Sequence, residues 1–78
     1  MNNRYIIHDI YSYYNMDRYY SSRKIDKKYL SLMLNDNDYS VRAEVIVRIN
    51  HKYVKYMKKD EKLSIRNLVY KIIEKYGN

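Results

Sequence analysis

The sequence predicts an α+β domain that is mostly helical: two N-terminal helices, then a strand-helix-helix unit. Three observations carry this. Apolar residues recur at helical spacing at both ends of the chain, the segment "RAEVIVRI" alternates strictly, and the polar run "NDND" divides two halves of different charge. The alternative is an all-α small helical bundle. Val41, Val45, Ile49, Tyr53 and Met57 are spaced by four, so one helix over 41–58 would also own an apolar stripe.

In order, Ile6, Ile7, Ile10, Tyr11 and Tyr14 share one face of a predicted helix over 3–14, with Asn2 or Asn3 as its cap. Five Tyr follow one another within residues 11–20. They are either a platform for stacking bases or boundary residues of a core, since Tyr buries its ring and keeps a polar tip. Ser21 or Ser22 caps a second helix over 23–34, with Ile25, Tyr29, Leu32 and Met33 on its inner side. The run "NDND", residues 35–38, ends it.

Within 42–49, Ala43, Val45, Val47 and Ile49 face one way, and Arg42, Glu44, Ile46 and Arg48 the other. The Val-Ile-Val centre has strand propensity. Asn50 then caps a helix over 51–61. Ile65, Leu68, Val69, Ile72, Ile73 and Tyr76 mark a last amphipathic helix, with Ser64 as N-cap and Gly77 as terminator. The sequence reads as one domain over 1–78, with 1–38 as a helical extension, 40–78 as the basic unit, no internal repeat and no low-complexity linker.

The 16 Lys and Arg against 9 Asp and Glu give a net charge of +7. Residues 1–40 hold six basic and five acidic side chains, and residues 41–78 hold ten and four, so the excess lies in the second half. That asymmetry points to an acidic partner, double-stranded DNA first. Abundant Tyr, Ile, Asn, Lys and Asp have AT-rich codons and point to an AT-rich genome, viral or phage in type. No apolar run reaches membrane-spanning length and the polar start is unlike a secretory signal, so the expected setting is intracellular, with no membrane partner.

Catalysis is not expected. The chain has no Cys, one Gly and two His in separate segments, which excludes a thiolate site, a glycine-rich phosphate loop and a His-based metal cluster. No cofactor or metal ligand is expected.

Strand, helix, short turn and capped helix, in "VIVRIN" and "LSIRNLVYKIIEKY", resemble the ribbon-helix-helix repressors of the Arc/MetJ/CopG type over residues 42–76. The resemblance implies a homodimer whose paired strands enter the DNA major groove. It places Glu44, Ile46 and Arg48 on the reading face, with Arg48 on guanine and Arg42 extending the contact. It also places a phosphate at Ser64, Ile65 and Arg66 with Lys62 nearby, and Lys52, Lys55, Lys58 and Lys59 in general attraction. The other function expected of such a chain is an all-helical module binding a host protein, and a third is single-strand binding on the Tyr cluster.

Overall fold

The computed structural model describes residues 9–77, and every regular element among them is helical. Helix α1 (Asn15–Lys24) leads into a 3-10 helix (Lys27–Met33), α2 (Tyr39–Arg48) into a second 3-10 helix (His51–Met57), and α3 (Leu63–Tyr76) follows. No strand occurs among the described residues, which overturns the strand expected at 42–49 and with it the α+β class; the all-α alternative fits.

The physical reason lies at the start of α2. The Asp38 carboxylate accepts from the Ser40 backbone N–H at 2.9 Å, a helix cap directly before the Val-rich run. The four-residue stripe then goes inward, with Val41, Val45 and Ile49 all buried and Ile46 beside them. Packing of this stripe outweighs the strand propensity of three β-branched residues, which is worth at most about 1 kcal/mol per residue. Each fully buried side chain of this size contributes roughly 1.5–3 kcal/mol.

Other boundaries move as well. Residues 3–8 of the predicted helix over 3–14 lie outside the described residues, Asp9 is helical, and 10 and 11 form a turn, so the helix does not continue to 14. The predicted helix over 23–34 is split: α1 already ends at Lys24, and Ile25 adopts extended backbone (φ −65, ψ 151) before the 3-10 helix. Ser21 and Ser22 are buried within α1 and cap nothing at its start. Asn50 does cap the segment after it, accepting from the Lys52 N–H at 3.1 Å. Ser64 lies one residue inside α3, whose N-cap position is Lys62. Gly77, at φ 74, ends α3 in a region that favours glycine.

The structure also corrects the absence of an internal repeat. The three helices begin at Asn15, Tyr39 and Leu63, and the two 3-10 helices at Lys27 and His51, 24 residues apart each time. The residues before the helices, Tyr14, Asp38 and Lys62, share nearly the same backbone, with φ of −86, −92 and −91 and ψ of 123, 120 and 122. Ser12, Asp36 and Asp60 precede them by two, and each side chain accepts the backbone N–H of the residue two further on.

Arginine recurs in the same register. Arg18 donates to the Ser12 carbonyl at 2.9 Å, Arg42 to that of Asp36 at 2.7 Å, and Arg66 to that of Asp60 at 2.6 Å. Each of the first two reaches forward to the next turn as well, Arg18 to Asp36 and Arg42 to Asp60, both at 2.8 Å and both nearly buried. Ile25 and Ile49, Leu30 and Val54, and Met33 and Met57 fill equivalent core places. α1 packs on α2 and α2 on α3, while each 3-10 helix packs on the helix that follows it. This is how a short supersecondary unit that cannot bury its own apolar side makes a core by stacking on its neighbours.

Candidate functional site

The repeat has two edges, one at the helix N-termini and one where the helix C-termini meet the 3-10 helices. The residues expected to read DNA divide between them or fall inside. Arg42 is buried, with Nε and Nη2 on the two Asp60 carboxylate oxygens at 2.8 and 3.0 Å. Ile46 is a core residue at 1% exposure. Glu44 is half-buried, 3.9 Å from Arg23. These three form no reading face: Arg42 and Ile46, four residues apart, both turn into the core, and Glu44 lies on another side of the helix.

Lys62, Ser64 and Arg66 gather at the N-terminal edge around Asp60, which also accepts the Lys62 N–H at 2.9 Å. A carboxylate of the chain therefore already stands where a phosphate was expected, and Ile65 is buried. The Lys62 ammonium lies 4.4 Å from the centre of the Tyr39 ring.

Arg48 and Lys52 come together on the other edge. The Arg48 guanidinium donates to the Ser22 carbonyl and, at 2.7 Å, to that of Ile25, so it closes the C-terminal end of α1. A cation at that end also meets the negative pole of the helix. Around it lies an open groove of about 510 Å³, lined by Lys27, Lys28, Arg48, His51, Lys52 and Tyr53 among others, none of them acidic.

One repeat further on lies a second groove, of about 240 Å³. Its lining includes His51, Lys71, Ile72, Lys75 and Tyr76, the positions 24 residues after Lys27, Val47, Arg48, His51 and Lys52 of the first. His51 lines both. No acidic residue lines the second groove either.

Basic side chains thus recur along this edge at Lys27, His51 and Lys75, and at Lys28 and Lys52 beside them. The lysines stand against aromatic rings: Lys28 over Tyr29 at 5.0 Å, Lys52 over Tyr53 at 5.1 Å, Lys75 over Tyr76 at 5.2 Å. A ring face under an ammonium restrains it without neutralising it. Exposed cations with no carboxylate on the groove wall attract an anion that spans more than one of them.

Sequence reasoning missed Lys27, Lys28, Lys71, Lys75 and Tyr76. The signal that finds them is the 24-residue register itself: Arg18, Arg42 and Arg66, Ile25, Ile49 and Ile73, Lys28 and Lys52, Asp36 and Asp60.

Among the described residues no cluster of three or more His, Cys, Asp or Glu side chains is placed to hold a metal ion, and no helix is long and apolar enough to cross a membrane. No protein-family model, curated protein or solved structure matches the chain.

Proposed function

We propose that this chain is a non-catalytic helical-repeat module that binds nucleic acid along its groove edge. The observation that carries the reading is two adjoining grooves, one repeat apart, each lined by lysines and neither by an acidic residue. Phosphates follow one another along a strand as the lysines follow one another along the edge. Ribbon insertion is no part of this, since its strand is a helix. The dimer was expected because a lone strand needs a partner, and that reason goes with the strand.

The test is fluorescence anisotropy of a labelled oligonucleotide titrated with the protein across a salt series. About four neutralised phosphates give a slope near −3 in log affinity against log salt. Lys28→Glu with Lys52→Glu weakens binding at least tenfold. Lys59→Glu, an equally exposed lysine in the turn before α3 and outside both grooves, changes it little. Equal effects at all three lysines mean that net charge alone does the binding.

A second reading, a helical module that docks a protein on α3, rests on a separate observation. Ser22 and Ile46 are buried at 0% and 1%, but the equivalent Tyr70 is 55% exposed. Among the described residues no carboxylate pairs with Arg66 as Asp36 pairs with Arg18. Light scattering over a concentration range tests its simplest form: mass that grows with concentration and is restored to one chain by Tyr70→Glu supports it.

A further inference from the structure

The two grooves are repeat equivalents with different linings, and that difference bears on what kind of nucleic acid fits. The lining of the first groove includes Arg48 and Lys52. One repeat on, Ile72 and Tyr76 stand in their places, and Ile46, Val47 and Leu68 complete an apolar slot with Lys71 and Lys75 at its rim. The His51 and Tyr76 rings stack on each other at 4.1 Å and 18°, so a further ring can only extend this stack from an outer face. The first groove is thus lined chiefly by cations and the second chiefly by apolar and aromatic side chains, with His51 in both.

We infer that the ligand is single-stranded nucleic acid, held with a backbone phosphate in the first groove and an unpaired base in the second. The inference rests on the nucleic-acid reading above. In a duplex the base faces are stacked and hidden, so only the phosphates would meet this edge and the apolar slot would stay empty. In a single strand a base is free to leave its stack and lie on an aromatic ring, a contact available to any base. The neighbouring lysines suit the phosphate that every nucleotide carries, so base and phosphate are taken by adjoining sites.

The experiment uses the full chain and three labelled probes of equal length: a ten-nucleotide thymidine strand, a blunt ten-base-pair duplex, and a ten-site abasic strand. Anisotropy titrations at low salt are repeated with Tyr76→Ala, Tyr76→Phe and His51→Ala, each checked for helix content by circular dichroism. Tyr76 is half exposed next to the end of α3, so its removal leaves the core in place. The expected result is tighter binding of the thymidine strand than of either other probe. Tyr76→Ala then weakens that strand about tenfold and leaves the duplex and the abasic strand unchanged, His51→Ala weakens the thymidine strand more than the other two probes, and Tyr76→Phe binds normally. Equal affinity for all three probes, with no effect of either alanine, overturns the base seat and leaves the nucleic-acid reading standing. No binding of any probe at low salt overturns both.

Discussion

The two edges of this repeat array are both rich in basic residues, and they use them in opposite ways. At the helix N-termini the arginines turn inward. Arg18 and Arg42 are held by Asp36 and Asp60, with side chains only 13% and 7% exposed. At the helix C-termini the lysines turn outward, and no carboxylate lines the grooves beside them. A net charge of +7 says nothing of this division. A buried ion pair is part of the architecture, since its desolvation is offset only when geometry and hydrogen bonds are complete. A row of exposed lysines adds little to stability and is available to a ligand.

The comparison breaks first at its buried side. Replacing Arg42 by Ala leaves the Asp60 carboxylate buried without its partner. Chemical denaturation should show a loss of about 3–5 kcal/mol, while Lys28→Glu stays within roughly 0.5 kcal/mol of the parent. A similar small effect at both positions would mean that the arginine pairs are not structural.

Arg48 stands on the groove edge but is held by hydrogen bonds as the inward arginines are, and its replacement sharpens the contrast. Arg48→Ala removes two charge-assisted hydrogen bonds to the end of α1, so a destabilisation of about 1.5–3 kcal/mol is expected in the same assay. A reading role on DNA alone would leave stability untouched.

Asp38 gives a smaller effect with a definite sign in pH. Hydrogen bonds from the Ser40 hydroxyl, then from Asn15, then from the Ser40 backbone N–H hold its carboxyl below the ordinary carboxylate value. Its stabilisation is therefore complete above an unfolded value near about 3.9 and is lost as the pH falls through the lowered folded value. Asp38→Ala should cost about 1 kcal/mol at neutral pH and flatten that part of the acid limb. The smallest change is expected at Ser64, which lies inside α3 and caps nothing. Ser64→Ala should stay within about 0.5 kcal/mol, and a loss near that of Asp38→Ala would restore Ser64 as the cap.

How much of this was legible in the sequence varies by element. α3 was, because Ile65, Val69 and their neighbours fix a helical face by spacing alone. So was Asn50, whose type and place before the second 3-10 helix suit a cap. α2 was legible only as the alternative: the spacing by four of Val41, Val45 and Ile49 allows it, but the Val-Ile-Val centre speaks for a strand locally, and the decision comes from the Asp38 cap and from core neighbours in other units. The role of Arg48 was hidden for the same reason, since its acceptors Ser22 and Ile25 lie 26 and 23 residues earlier. The repeat was hidden because its core places accept any apolar residue of suitable size, as Leu30 and Val54 do, so that few positions are identical. Of the candidate site, Lys52 and Arg48 were chosen by residue type, and the groove that joins them to Lys27 and Lys28 appears only once the 24-residue stacking is known.

The most direct test of the groove edge is a nitrogen-15 NMR titration of the full chain with the ten-nucleotide thymidine strand. Backbone amide shifts are followed at low salt. The account predicts that the largest changes fall at Lys27, Lys28, His51, Lys52, Lys71 and Lys75, while the amides around Arg18, Asp36, Arg42 and Asp60 stay in place. Changes centred on Tyr39, Lys62 and Arg66 instead would contradict it, and would move the binding surface to the edge where the charges are already paired.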